Sequence, residues 1–190
     1  MNAESLDVTW RAMLMFGVVF MLACVAVRLL AHSPERKACQ FLSAFMLVFA
    51  LNQVPQIIGY SGFYQAFPWL TFAPFNNELW LGPLLLWHVT TLTKSTLPRW
   101  HRLLFFPAIC QSVYYGIVFV VFPDYRDKWA FNDAVHHVFI QPVEVLLTLV
   151  VSAYCLIKSI QLIQAYQRDL PNIVSEEEPF DIRWLNQCVW

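Results

Sequence analysis

The stretch Ala12-Met-Leu-Met-Phe-Gly-Val-Val-Phe-Met-Leu-Ala-Cys-Val-Ala-Val-Arg-Leu-Leu-Ala31 holds twenty residues and a single charge, on Arg28. A helix needs about 20 mainly apolar residues to cross the hydrocarbon core of a bilayer. Glu4 and Asp7 precede the stretch, where a cleaved signal peptide would have a basic region. Residues 12–31 are therefore predicted to form a membrane-spanning helix that is retained.

Four more stretches of similar length and character follow, at residues 41–58, 72–92, 103–122 and 138–157. Asn76, Asn77 and Glu78 interrupt the second of these, so the third span is the least regular. The chain is 58% hydrophobic and 13% charged, whereas a soluble domain has about 25% charged residues. We predict an all-α fold, a polytopic transmembrane helix bundle with five full spans, forming one domain over residues 1–190.

The Lys and Arg residues are distributed unevenly between alternate loops. Nine lie in or beside the segments that follow spans one, three and five: Arg28, Arg36, Lys37, Lys94, Arg99, Arg102, Lys158, Arg168 and Arg183. The opposite side has only Arg11, Arg126 and Lys128. Because cytoplasmic loops carry the excess of basic residues, we predict that the N-terminus lies outside. The outer loop over residues 60–75 is rich in aromatic residues, which favours an interfacial loop, with a re-entrant segment as the alternative.

The sequence after the fifth span contains the longest polar stretch. We predict that residues 158–181 are cytoplasmic and that their first part continues the fifth helix. Asp181 can cap a new helix whose apolar residues begin at Ile182. Residues 182–190 are too few to cross a bilayer. They are predicted to be the start of a truncated sixth span, as in a shortened gene product or a fragment of a larger protein.

Polar residues inside the predicted spans are the candidates for a ligand site, because polar groups in hydrocarbon are costly and tend to face a cavity or the bundle interior. In span five, His137, Gln141 and Glu144 lie on one helical face that continues through Thr148 and Cys155. Span two adds Asn52 and Gln56, and span three adds Glu78, all near the outer ends of their helices. We predict that these residues surround an outward-facing polar cavity.

Other interpretations of the same residues remain open. Asn, Gln and Thr side chains also serve as ordinary hydrogen-bond partners between membrane helices. A metal site on span five is disfavoured because one helix rarely closes such a site and no HExxH spacing is present. His88 has no second histidine at matching depth for a haem, so no cofactor is predicted.

Catalysis and nucleic-acid binding find little support in the sequence. It contains no arrangement of Ser, His and Asp or of Cys and His typical of nucleophilic catalysis, and its five glycines form no phosphate loop. The net charge is −1, and no basic stripe is present. We therefore predict neither an enzyme nor a chain that binds nucleic acid directly.

Three short motifs give the chain a resemblance to a known family. They are Leu-Gly-Pro-Leu-Leu-Leu-Trp-His-Val at 81–89, Arg-Trp-His-Arg-Leu-Leu-Phe-Phe-Pro-Ala at 99–108 and Ile-Arg-Trp-Leu at 182–185. In order and spacing they resemble the membrane input region of bacterial AraC-type transcriptional regulators, and also those of LytTR-type regulators and sensor histidine kinases. The resemblance implies a sensor in the bacterial inner membrane. It also implies a cytoplasmic output domain, which is absent from this chain.

The leading hypothesis is thus a membrane-embedded sensory or regulatory input domain. Spans two, three and five would receive the signal, and span five would transmit it. Its partners would be the lipid bilayer, an unknown small-molecule or lipid signal, and a second copy of the chain in a homodimer. The alternative is a small transporter or channel-like protein that handles protons or a solute through its intramembrane acid.

Overall fold

The structure, a computed structural model, describes residues 3–32, 36–61, 64 and 67–173. The helices are α1 (Ala3–His32), α2 (Arg36–Tyr60), α3 (Leu81–Leu92), α4 (Phe106–Val121), α5 (Tyr125–Phe131) and α6 (Gln141–Ile173). Short 3₁₀ turns at Glu78–Trp80 and Arg99–Phe105 lead into α3 and α4, and a π-helical segment, Asn132–Ile140, joins α5 to α6. No strand occurs in these ranges. The predicted all-helical fold is confirmed, whereas the predicted truncated helix at 182–190 lies outside the described residues.

Within the part of the chain that the structure describes, four helical ranges are long and apolar enough to cross a membrane: Met13–Ala31, Lys37–Tyr60, Arg99–Val121 and Tyr125–Asp169. Their outer surfaces are apolar and exposed, as shown by Phe20, Val120 and Leu149, whose exposed fractions are 58%, 76% and 64%. A large apolar surface on a water-soluble monomer would be unusual. Such a surface is favourable against lipid tails, so this arrangement agrees with a membrane protein.

The predicted third span, 72–92, forms a shorter helix than its hydropathy suggests. Phe72 has a φ of 61°, which a right-handed helix does not allow. Regular helical structure begins only with the turn at Glu78, and α3 then runs from Leu81 to Leu92. This helix lies in the middle of the bundle, with Gly82, Pro83 and Leu86 buried. The longer helices around this short helix surround it with apolar side chains.

Contacts at both ends of α3 define its direction. The Asn77 N–H, just before the helix, donates to Asn52 Oδ1 on α2 over 2.6 Å. At the other end, His88 Nδ1 lies 2.9 Å from the carbonyl oxygen of Ala38, near the start of α2. Thus α3 runs antiparallel to α2 and reaches most of the depth of that helix.

Contacts between pairs of helices define the directions of α4 and α6 in the same way. Trp80, just before α3, donates to Ser112 on α4, and Trp87, further along α3, contacts Phe105 just before α4, so α4 is antiparallel to α3. Tyr115 contacts Glu144 and His101 contacts Tyr154, so α6 is antiparallel to α4. Together with the hairpin of α1 and α2, in which Ser43 Oγ donates to the Ala26 carbonyl over 3.0 Å, these pairs give an alternating bundle.

Helix α3 packs most closely against α6. A Cβ atom at Gly82 would lie 3.1 Å from Ser152 Cα and 3.5 Å from Cys155 Cβ. Small residues at such a position allow two helix backbones to approach, and packing of this kind stabilises helices in membranes. Below this contact, Leu86 packs with Val151 and Cys155 in a buried apolar cluster. The position of α6 is therefore determined largely by α3.

Candidate functional site

An irregular segment, residues 67–77, lies between α2 and α3 and positions most of the candidate site. It contains a 3₁₀ turn at Pro68–Leu70 and the left-handed residue Phe72. Local bonds satisfy part of its backbone, including the Ala73 N–H donating to the Leu70 carbonyl over 3.0 Å. Non-helical backbone is tolerated at membrane depth only where protein or water covers it. Two side chains from other helices, Asn52 on α2 and Lys128 on α5, form hydrogen bonds with the backbone of this segment.

Asn77 is the centre of the first group of bonds. Its backbone N–H donates to Asn52 on α2, and its side-chain Oδ1 accepts from Ser112 Oγ on α4 over 2.7 Å. Ser112 Oγ in turn accepts from Trp80 Nε1 over 2.9 Å. Asn77 is buried. One asparagine thus joins the start of α3 to both α2 and α4.

A second group connects α4 to α6. The Leu79 N–H donates to Gln111 Oε1 over 3.3 Å, and the Tyr115 hydroxyl donates to Glu144 Oε2 over 3.0 Å. The Gln111 side chain is also within hydrogen-bonding reach of the Glu144 carboxylate. We call the seven residues that make these two groups of bonds the polar cluster: Asn52, Asn77, Trp80, Gln111, Ser112, Tyr115 and Glu144.

Aromatic rings cover the polar cluster on the side of the π-helical segment. His136, which is buried, lies 3.0 Å from the Tyr114 hydroxyl through Nδ1. The Phe72 ring meets the His136 ring edge to face, with centroids 5.1 Å apart, and also lies 6.2 Å from the Tyr115 ring. The unusual backbone of Phe72 therefore places its ring beside the residue that binds Glu144.

A buried lysine joins α5 to the irregular segment. Lys128 is 2% exposed, and its Nζ donates to the Trp69 carbonyl oxygen over 3.0 Å. The same nitrogen lies 4.1 Å from the centroid of the Phe119 ring, a cation–π arrangement. A carbonyl dipole and an aromatic face thus stabilise the cation where water is largely excluded.

The structure brings together some of the predicted site residues and separates others. Asn52 and Glu144 belong to the polar cluster. Glu78 is exposed at the start of the 3₁₀ turn, yet close enough to Glu144 for the two charges to interact. His137 and Gln141 are both exposed and lie outside the cluster.

Gln56 is exposed on a separate groove between α1 and α2. The groove has a volume of about 520 Å³ and is also lined by Leu14, Met15, Gln53 and Tyr60. Of the predicted site residues, Gln56 lines this groove, whereas Asn52 and Glu144 belong to the polar cluster.

The π-helical segment explains why the predicted stripe on span five divides. Glu144, Thr148 and Cys155 follow α-helical geometry in α6 and turn inward, as predicted. Residues 132–140 form wider turns, with i→i+5 hydrogen bonds. A 3.6-residue period extended through these turns predicts the wrong face for the residues within them. For this reason His136 is buried and His137 is exposed.

Sequence reasoning missed the contribution of α4. Gln111, Ser112, Tyr114 and Tyr115 form a polar group within an otherwise apolar span, and this group is the signal that could have identified them. The sequence pattern indicates Asn77 only as a polar interruption of the third span. Its role depends on a turn whose geometry the sequence pattern does not specify.

No group of three His, Cys, Asp or Glu side chains that could hold a metal ion occurs among the described residues. Comparison with protein-family models, with curated proteins and with solved structures yields no match to this chain. The arrangement of side chains must therefore carry any conclusion about function.

Proposed function

We propose that this chain is a multi-pass sensory or regulatory input domain of the bacterial inner membrane, in which the polar cluster receives a signal and α6 transmits it. One observation carries the proposal. Glu144, at the start of α6, accepts a hydrogen bond from Tyr115, whose ring also contacts Phe72 of the irregular segment, and Gln111 on the same helix α4 accepts from the Leu79 N–H just after that segment. A ligand that competes for any of these bonds changes the position of α6 relative to α4.

The cost of placing these groups in an apolar bundle supports a functional role. Ionisable residues within membrane helices are expensive and mark functional sites by default. Two side-chain atoms near the cluster, Asn52 Nδ2 and Thr148 Oγ1, are buried and donate to no described group. They offer hydrogen-bonding capacity to a small polar signal, and they lie on α2 and α6, the helices that such a signal would connect.

The length of α6 supports transmission. The helix runs from Gln141 to Ile173, and 33 residues at about 1.5 Å each extend about 50 Å, well beyond a hydrocarbon core of about 30 Å. A continuous helix moves as a rigid rod, so a displacement at Glu144 reaches residues beyond the membrane. An output domain or a partner at that end receives the displacement.

The alternating bundle is consistent with five crossings and an outside N-terminus. In this arrangement α1, α3 and α6 run inward, and α2 and α4 run outward. Helix α3 with its 3₁₀ turn provides about 22 Å of the third crossing at about 1.5 Å per residue. The irregular segment provides the remainder, covered by protein as such backbone must be. The resemblance to AraC-type input regions agrees with this topology.

The test joins residues 1–173 to an output domain that activates a reporter gene when it dimerises. We expect Glu144→Gln to change the reporter level severalfold, because the amide no longer accepts from Tyr115 as a carboxylate does. Asp127→Asn makes the same chemical change at an exposed acid and should leave the level unaltered. Equal reporter levels in both variants and the wild type, at equal expression, would contradict the proposal.

The same carboxyl group also favours the alternative function, a membrane protein that handles protons or a solute. Glu144 and the nearby Glu78 are acids, and such groups can bind and release protons. A flux measurement separates the two. The purified chain in vesicles carrying a pH-sensitive dye should show no proton flux beyond that of empty vesicles. Steady flux that Glu144→Gln abolishes would support the transporter instead.

A further inference from the structure

The segment that leads into α4 presents basic and apolar side chains side by side. Arg99 and Arg102 are exposed on the 3₁₀ turn Arg99–Phe105, as are Trp100 at 53% and Leu103 at 69%. Phe106, the first residue of α4, is 63% exposed. This turn is the first part of the apolar range Arg99–Val121. It therefore lies where a membrane helix meets the head groups, a depth at which Trp and Arg side chains are favoured.

The charges along the chain around this turn are of one sign. No acidic residue occurs between positions 93 and 106, and Lys94, just before the turn, is exposed. Lys37, at the start of α2, is also exposed at this end. The exposed acids Glu78, Asp124, Asp127 and Asp133 lie at the opposite end, whereas Asp169, near the end of α6, is an exposed acid at this end. The surface is thus complementary to an anionic partner.

The surface is connected to α6 by two ring contacts. The Trp100 ring stacks on the buried His101 ring, with centroids 3.9 Å apart and planes at 28°. His101 Nδ1 lies 3.2 Å from the Pro98 carbonyl, and Nε2 lies 3.0 Å from the Tyr154 hydroxyl on α6. A carbonyl can only accept, so in the neutral ring Nδ1 carries the proton and Tyr154 donates to Nε2.

We infer that the turn Arg99–Phe105 is a contact for anionic phospholipid head groups, coupled to α6 through Trp100, His101 and Tyr154. Arg99 and Arg102 bind the phosphate, and Trp100 lies at the level of the glycerol backbone. Leu103 and Phe106 contact the acyl chains. Lipid composition thereby acts on α6 from the end of the bundle opposite the polar cluster. The inference rests on the membrane insertion proposed above and is independent of the signalling role of Glu144.

The binding test uses native mass spectrometry of the detergent-solubilised full chain with phosphatidylglycerol or phosphatidylcholine of identical acyl chains. Each basic residue near an anionic surface contributes about fivefold to binding, so two arginines give a preference of about 30-fold for phosphatidylglycerol. The double variant Arg99→Gln with Arg102→Gln should lose this preference, and Arg99→Lys with Arg102→Lys should retain most of it. Both arginines are exposed, so neither variant disturbs packing.

Arg126, exposed at the opposite end, provides the matched control, and Arg126→Gln should retain the full preference. Equal affinity of the wild type for the two lipids would overturn the inference. So would a loss in Arg126→Gln as large as that in the double glutamine variant. Insertion itself is checked by resistance of the membrane-bound chain to extraction at alkaline pH, so failure of insertion is distinguished from failure of lipid binding.

The coupling test measures amide hydrogen exchange of residues 159–169 in lipid nanodiscs of each composition. Phosphatidylglycerol should slow this exchange at least twofold relative to phosphatidylcholine in the wild type. Tyr154→Phe should bind phosphatidylglycerol as the wild type does and show no difference in exchange. The same lipid-dependent slowing in Tyr154→Phe would overturn the coupling through His101.

Discussion

The Tyr115 hydroxyl donates to Glu144 Oε2 across 3.0 Å, and this bond directly joins α4 to α6. Tyr115 also lies beside Phe72, whose left-handed backbone lies in the irregular segment before α3. The carboxylate of α6 is therefore linked through a single tyrosine to the most irregular part of the fold. This relationship is the reason we propose that the segment 67–77 and the long helix α6 influence each other through Glu144.

Removal of the donor at this contact should destabilise the bundle. Loss of the donor leaves a partly buried acceptor without its partner, which costs about 1–3 kcal/mol, so we expect Tyr115→Phe to lower the free energy of unfolding by about that amount. Thermal unfolding in detergent measures the change. Tyr125→Phe removes a hydroxyl from an exposed tyrosine and should have no measurable effect. If Tyr115→Phe combined with Glu144→Gln costs as much as the two single changes added, the two residues are not coupled.

The close approach of α3 and α6 should make Gly82 intolerant of a side chain. A Cβ atom there would lie 3.1 Å from Ser152 Cα, so Gly82→Ala forces the two helices apart. Overpacking of this kind costs about 1–3 kcal/mol. A Cβ atom at Gly116 on α4 would meet no neighbouring element within 4 Å, so Gly116→Ala should be neutral or slightly stabilising. Equal thermal stability of the two alanine variants would contradict the close packing.

The cation of Lys128 should hold the irregular segment in place. Lys128→Ala removes the donor to the Trp69 carbonyl and the contact with the Phe119 ring. We expect amide exchange at residues 69–73 to accelerate about tenfold, because the loss of such contacts costs about 1–2 kcal/mol. Arg126→Ala, two residues away and exposed, should leave that exchange unchanged. Unaltered exchange in Lys128→Ala would show that the lysine does not hold this segment.

The distribution of basic residues predicts the topology, and reporter fusions test it. Fusions after Lys37, Arg99 and Asp169 should report a cytoplasmic location, and fusions near Gly62 and Asp127 should report the outside. Cytoplasmic signals at both Gly62 and Asp127 would reverse the orientation. The fusion at Arg99 is the most informative of the five, because it depends on the short helix α3 crossing together with the irregular segment.

Hydropathy predicts the long helices well and the centre of the bundle poorly. Helices α1, α2 and α4 with its 3₁₀ turn contain their predicted spans almost completely, because a long apolar run has few stable alternatives to a helix. In the predicted third stretch, the chain is not helical from Phe72 to Asn77. Tertiary hydrogen bonds to Asn52 and Ser112 stabilise a turn there, and a single hydropathy window contains no information about partners so distant in sequence.

The candidate site was predictable only in part, for two physical reasons. Asn52 and Glu144 were identified because polar groups in apolar spans are conspicuous. The 3.6-residue period predicts His137 on the inner face, but this period does not apply across the π-helical turns preceding α6. Gln141 is exposed although it lies in α6 itself, and the π-helical segment does not explain its position. The polar group at 111–115 was visible in the sequence, but its partners became apparent only from the antiparallel arrangement of α4 and α6.

The central claim is that a change at Glu144 is transmitted along α6 to its far end. Amide hydrogen exchange of residues 159–169 in nanodiscs, compared between Glu144→Gln, Asp127→Asn and the wild type, tests it most directly. The account predicts that Glu144→Gln alters this exchange severalfold, although the substitution lies at least 15 residues away, while Asp127→Asn matches the wild type. Identical exchange profiles in all three proteins, with Glu144→Gln still folded, would contradict it.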